Sequence, residues 1–341
     1  MGDLVAGAVL ALDLGGTQVR AAGVLPGGAL VGVRRSLTPV AGGGDAIVAA
    51  CIAALQGARD DLATLDVAPP IGIGISAPGP VDPRRGLILD PPNLGPTFRD
   101  IPLAARIEGE LGLPAVLGRD TQVAALAEGR LGAAAGCGDF VYLTVSTGIG
   151  GAIVTGGRLM RGPDGTAGEL GHLVVDRHRP PCGCGMPGHL EAIASGSGIA
   201  RRAREAAVLG ESDLLAELVL ARGAAFGARD VAYAEEAGDA AAGRIMADAR
   251  DAFAAVCVSL TDVFNPSLIV VGGSLAAGQG ERLLGPARAA VERGAFRRPA
   301  ARVAIVPASL GDDVGLVGGR VLFEERQASA NAHAGPERVA W

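Results

Sequence analysis

Short apolar runs broken by glycine-rich interruptions recur along the chain, and the same pattern occurs twice. Residues 8–13 are apolar up to Asp13 and stop at Gly15-Gly16, and a second run, 18–25, meets Pro26-Gly27-Gly28. Runs of this length between turn formers are strands, so the pair predicts a hairpin, with 31–36 as a third strand. Small apolar residues at helical spacing predict a helix over 46–58, and 71–76 is a buried strand running into Ala77-Pro78-Gly79-Pro80. A helix over 103–112, a strand over 115–117 and a helix over 121–131 follow. The pattern then restarts, with strands 140–146 and 152–155 on either side of a glycine turn. Residues 180–188 are irregular, helices fill much of 196–263, and Asn265-Pro266 precedes a strand over 268–271. A last helix spans 315–324, and beyond Arg326 the composition predicts a frayed, disordered tail over 327–341. Two halves that each open on a glycine-tipped hairpin imply duplicated domains facing one another, with a ligand in the cleft between them.

Composition narrows the possible functions. At 341 residues and 49% hydrophobic, the chain is long enough for two cored domains. Its net charge of −6 leaves no basic stripe for phosphate backbones, so no nucleic-acid partner is expected. All 30 basic residues are arginine, which removes Schiff-base and P-loop lysine chemistry. Of five cysteines, Cys51, Cys137 and Cys257 lie in Ala/Val contexts and are expected as buried small hydrophobes. No disulfide framework or secretory leader is legible, so a reducing cytoplasm is the expected location. The longest uncharged run, 140–157, is broken by glycines and hydroxyls and reads as two strands; no membrane partner is expected.

Chemistry concentrates at the interruptions. In Asp13-Leu14-Gly15-Gly16-Thr17 paired glycines let backbone amides approach a phosphate, Thr17 adds a hydroxyl, and Asp13 suits Mg²⁺, directly or through water. The same residues also make an ordinary tight turn with a capping aspartate. Ser146-Thr147-Gly148-Ile149-Gly150-Gly151 repeats the form in the second half, and Gly272-Gly273-Ser274 follows a third strand, suited to pass beneath a purine. Two such turns at equivalent places suggest that both ends of a nucleotide polyphosphate are held. Cys182 to Glu191 reads C-G-C-G-M-P-G-H-L-E, just beyond G-E-L-G-H at 168–172. Cys182 and Cys184 with His189, closed by His172, can wrap one tetrahedral zinc ion; the bland alternative is a polar loop. His178 and His333 have no partner spacing and read as surface residues.

Taken in order, D-L-G-G-T, S-T-G-I-G-G-A, A-G-E-L-G-H, C-G-C-G-M-P-G-H-L-E and N-P-S-L-I-V-V-G-G-S resemble the ROK family of sugar kinases and sugar-responsive repressors, over roughly 8–325. The resemblance implies an α/β two-domain fold of the actin–hexokinase (ribonuclease H-like) type. Its domains would be 1–117 with a returning helix near 312–326, and a larger one over 118–311 that carries the zinc loop. It implies ATP and Mg²⁺ as cofactors, a structural Zn²⁺, a hexose partner and a homodimer. Because Asp13 begins almost at the terminus, no DNA-binding arm is expected before it, which favours the kinase branch.

By the same resemblance Asp120 matches the catalytic base toward a hexose hydroxyl, and its plain alternative is a cap for a helix starting at Thr121. Gly79, Asn93, Glu169, His172 and Glu191 match sugar contacts. Asp13, Gly15, Gly16, Thr17, Thr147, Gly148, Gly150, Gly272 and Gly273 match the nucleotide site. The ligands implied for zinc are His172, Cys182 and Cys184, with His189 where the family has a third cysteine. Glucose is the leading substrate, with fructose, N-acetylglucosamine and N-acetylmannosamine as alternatives, and a non-catalytic sugar-binding protein is the rival class. One position departs from the pattern: Arg119 stands where the family usually has an asparagine that contacts sugar. A guanidinium cannot accept a hydrogen bond. It can turn toward Asp120, into the pocket or out to solvent.

Overall fold

The computed structural model describes residues 7–65, 67–178 and 181–333, with side chains through 330. It divides into two compact units. The first comprises residues through Ala135, Arg161–Thr166 and the chain from Asp312; the second comprises Gly136–Met160 and Ala167–Gly311.

The first unit is built on β1 (Val9–Leu14), β2 (Gln18–Val24), β3 (Leu30–Leu37), β4 (Ile73–Ala77) and β7 (Ala115–Arg119), in the order β3-β2-β1-β4-β7. The hairpin strands are antiparallel, and β4 and β7 continue the sheet in parallel. A two-stranded ribbon, β5 (Val81–Asp82) with β6 (Leu87–Ile88), follows β4. Helix α1 (Gly43–Ala63) lays Ile47, Val48, Cys51, Leu55, Ala58 and Leu62 on the sheet. By length and composition 40–63 would suffice to cross a membrane, but here that apolar side is a core face. Each of these larger side chains is worth roughly 2 kcal/mol as an upper estimate. Helices α2 (Leu103–Leu111) and α3 (Asp120–Leu131) flank β7.

The second unit repeats the plan with β8 (Phe140–Val145), β9 (Ile149–Thr155), β10 (Arg158–Leu159), β11 (Leu268–Gly272) and β12 (Ala304–Pro307), in the order β10-β9-β8-β11-β12. Again an antiparallel hairpin is continued by two parallel strands. Between β10 and β11 run α4 (Leu190–Ala194), α5 (Gly196–Val208), α6 (Asp213–Arg222), α7 (Ala228–Glu236) and α8 (Ala240–Phe264). Then come α9 (Ser274–Gln279), α10 (Glu281–Gly294) and α11 (Arg297–Ala300). Residues from this helical layer and from the sheet share one core, Leu143, Ile269, Phe253 and Leu260 among them.

The chain returns to the first unit as α12 (Val314–His333), which packs on β1, β4, β7 and α3. The approach is backbone to backbone: a Cβ at Gly74 of β4 would stand 1.8 Å from the Gly319 carbonyl oxygen. Arg320, only 2% exposed, donates to the carbonyls of Gly7 (2.7 Å) and Val24 (3.0 Å) and pairs with Glu324 at 2.8 Å.

The expected α/β two-domain architecture and its duplication are present, with three corrections. The domain boundary expected at 117/118 lies after Ala135, because α3 packs against α12 and so belongs to the first unit. The expected tail is helical as far as His333, since α12 outruns its apolar stretch; residues 334–341, like the His333 side chain, lie outside the described residues. Cys137 is half-buried at a turn, its thiol 3.4 Å from the Asp139 carbonyl, whereas Cys51 and Cys257 are core residues whose thiols burial pushes up to about 12.

Candidate functional site

In the first unit the β1–β2 turn is closed by Gly15 N–H donating to Gln18 O (2.9 Å), and Thr38 braces it through its hydroxyl to Gly15 O (2.7 Å) and its amide to Thr17 O (2.9 Å). Thr17 is left exposed at the tip. Asp13 faces Arg20 across the hairpin and the two form a part-buried ion pair. The first turn of α12 lies over the same carboxylate, since a Cβ at Gly315 would stand 2.5 Å from Asp13 Cγ. Asn93, expected at the sugar, lies against the β1–β2 turn expected at the phosphates: a Cβ at Gly16 would be 3.0 Å from Asn93 O and 3.1 Å from its Nδ2. Two expected ligand groups are thus in van der Waals contact within one unit.

Strand β7 delivers Arg119 and α3 begins with Asp120. Arg119 has extended backbone angles and is the helix N-cap, so Asp120 is the first helical residue and its own carboxylate accepts from Thr121 N–H at 2.6 Å. The expected cap is therefore displaced by one position. The Asp120 side chain is exposed at the start of the helix. Arg119 is 4% exposed, which rules out the solvent-facing alternative. Its aliphatic stem lies on Gly79.

In the second unit two glycine turns meet at the ends of neighbouring parallel strands. Ser146 N–H donates to Gly148 O (2.9 Å), and the start of α5 is tied to this turn by Gly196 N–H to Ser146 O (2.8 Å) and Ser197 N–H to Thr147 O (3.0 Å). After β11, Gly273 adopts φ 94°, and a Cβ there would stand 2.4 Å from Val145 O. The hydroxyls of Ser146 and Ser274 are 2.9 Å apart. Gly272 fits against Tyr142 and Ala308. Thr147, Gly148, Gly150, Gly272 and Gly273 are therefore one neighbourhood.

Glu191 joins that neighbourhood to the cysteine loop. Its Oε2 accepts from Ile149 N–H at 2.9 Å, and Oε1 is 3.6 Å from the Cys182 thiol. Ligand atoms of His172, Cys182, Cys184 and His189 all lie within 4.8 Å of one another. His189 Nδ1 is 3.1 Å from His172 Nδ1 and 3.3 Å from Cys184 Sγ, with the rings edge to face. A tetrahedral shell with normal Zn–N and Zn–S bonds has ligand–ligand edges of roughly 3.3–3.8 Å, close to the 3.1 and 3.3 Å at His189, so the donor set is consistent with Zn²⁺, with His189 where a fourth ligand would stand. Burial and the neighbouring His172 hold His189 toward its neutral, ligand-competent form. Burial, with the charge of Glu191, pushes the Cys182 thiol up; a cation between these groups would reverse that. Glu169 is exposed and opens the single turn (Leu170–His172) that carries His172. His178 is exposed.

Arg20 and Gly315 were not singled out from sequence. Hairpin register about Gly15-Gly16 would have placed Arg20 opposite Asp13; nothing local signals Gly315, which is remote in the chain.

The profile of the ROK family matches residues 9–326. A glucokinase from Halalkalibacterium halodurans is 36% identical over 260 residues, covering 76% of this chain and 78% of the relative. An N-acetylmannosamine kinase from Shigella boydii serotype 18 is 33% identical over 318 residues, covering 92% and 98%. The crystal structure of a ROK family glucokinase from Streptomyces griseus, in complex with glucose and AMPPNP, is 32% identical, covers 93% of this chain and 99% of its own, and has a TM-score of 0.74. The chain belongs to the ROK family.

Proposed function

We propose that the protein transfers the γ-phosphoryl group of ATP to a hexose, with glucose the first substrate and the C6 hydroxyl the acceptor. The observation that carries this reading is the pair of matched hairpins whose glycine turns stand beside sugar-type ligands: Asn93 against Gly16, and Glu191 against Gly148. Asp120 would take the hydroxyl proton, being an exposed carboxylate fixed at a helix start. Asn93, Glu169, His172 and Glu191 would orient the sugar, each carboxylate spanning two hydroxyls. The glycine turns would hold the nucleotide by backbone amides, which suits a chain without lysine. Catalysis would rest on positioning and charge neutralisation.

Mg²⁺, when bound, would neutralise phosphate charge. The Asp13–Arg20 pair suits a water-mediated contact with it, because Mg²⁺ loses its waters reluctantly and the carboxylate already has a cation. Zinc would hold His172 and the loop leading to Glu191, in a structural role. We also infer a cytoplasmic homodimer.

The test is ADP release over glucose, fructose, N-acetylglucosamine, N-acetylmannosamine and hexose acids. Glucose is expected to give the highest kcat/KM, with Asp120→Asn lowering kcat by about 10²-fold or more. Sugar binding without turnover for any of them would replace this reading by a non-catalytic sugar-binding protein. The near-full-length likeness to an N-acetylmannosamine kinase makes that sugar the second reading, and the same panel decides between them.

A further inference from the structure

The first unit contains a cavity of about 490 Å³ whose lining includes none of the residues assigned above. It is formed by the turn between β5 and β6, the segment 161–166 and the far half of α12. Gly315 lies on Asp13 at one end of α12; Arg326, on the cavity, is three turns further along, roughly 16 Å away at 1.5 Å per residue.

Three guanidinium groups converge here, those of Arg84, Arg161 and Arg326. Arg326 donates to Pro83 O at 2.8 Å, which fixes its plane on the wall. Burial and the positive charges of Arg161 and Arg84 pull it below its ordinary range, with Glu325 opposing. Three carboxylates also line the cavity, those of Asp82, Asp164 and Glu325. Glu325 pairs with Arg161 at 3.2 Å, and Asp82 accepts the amides of Arg84 and Arg85 at 3.0 and 3.1 Å, holding the turn. The floor is fixed as well: the buried Gln122 amide donates to Gly165 O at 2.9 Å, and a Cβ at Gly165 would be 3.3 Å from Pro83. Arg84 and Arg326 still repel each other beside these carboxylates, and an anion between them would relieve that repulsion.

We propose that this cavity binds a small phosphate monoester, with Arg84, Arg161 and Arg326 on its phosphate. A dianion with three terminal oxygens matches three planar forks in charge and geometry, and the volume leaves room for a sugar-sized body. The site stands independently of the proposed reaction.

Calorimetric titration with inorganic phosphate, then with glycerol 3-phosphate, at constant ionic strength against chloride, tests it. Saturable binding is expected, weakened about tenfold or more by Arg84→Gln, because a charge-assisted hydrogen bond is lost. Arg84 is exposed on a turn, so this variant should keep the wild-type unfolding temperature without phosphate. Glu325→Gln, which frees Arg161, should tighten binding, and Gly16→Ala in the phosphate turn should leave the Arg84-dependent component unchanged. Binding unaffected by Arg84→Gln, or weakened by Glu325→Gln, overturns the proposal, as does the absence of saturable binding in the wild type.

Discussion

The stem of Arg119 occupies the space a side chain at position 79 would need: a Cβ on Gly79 would stand 2.9 Å from Arg119 Cδ and 3.3 Å from Cγ. Arg119 is therefore a wall of the loop it packs on, beside the proposed base. Asparagine at 119 would offer both a donor and an acceptor to a sugar hydroxyl, where arginine offers donors alone. Arg119→Asn is expected to raise kcat/KM for neutral hexoses about tenfold and to lower it for hexose acids. Steady-state kinetics on both classes check this; unchanged ranking would mean that Arg119 acts only on the fold.

Gly16 and Asn93 touch, so the turn proposed to hold phosphate and the residue proposed to hold sugar share one mechanical unit. Gly16→Ala must push Asn93 away by a few tenths of an ångström. Both KM(ATP) and KM(hexose) should rise, each by about three- to tenfold, with little change in melting temperature. A rise for ATP alone would show that Asn93 accommodates the methyl group without moving.

Metal analysis of protein purified without added metal should give about one zinc per chain, and a chelator should lower the melting temperature by about 5 °C or more. His189→Ala should lose the metal, whereas His189→Cys should keep it. Chelation should also make Cys184 reactive toward a thiol reagent, because it is already exposed, while Cys51 and Cys257 stay silent until unfolding.

Asp139 supplies a pH test remote from that loop. Its carboxylate accepts from Gly156 N–H (2.9 Å) and the Thr155 hydroxyl (3.0 Å), and these bonds, the amide first, hold its pKa below the ordinary aspartate value. A carboxyl group depressed in the folded state stabilises above its unfolded pKa, and that contribution disappears as pH falls through the folded value. Asp139→Asn should therefore lower the melting temperature slightly at pH 7, with the difference closing as pH falls below the ordinary aspartate range. Equal losses above and below that range would show a packing effect instead.

Most strands and the duplication were legible because the apolar runs have strand length and most end at or near glycine, a local signal; the short β5, β6, β10 and β12 carry no such signal and were not expected. The cysteine loop was legible for a similar reason: three of its four ligands lie within eight residues. What escaped notice was set by distant chain. Gly315 meets Asp13 only because α12 returns to β1, and which of its three orientations Arg119 takes is set by the 77–81 loop it packs on. The domain boundary slipped for the same cause, since α3 looks like the start of the second half until α12 is laid against it.

Arg320 reaches back to Gly7 and Val24 from a helix near the other end of the chain. Every strand of the second sheet is translated before α12, but the first sheet gains its cover on β1, β4 and β7 only when the ribosome has passed residue 333. The earlier-synthesised unit is thus the later one to be completed. A fragment that stops before α12 would therefore hold every strand of both sheets and still lack this cover on the first.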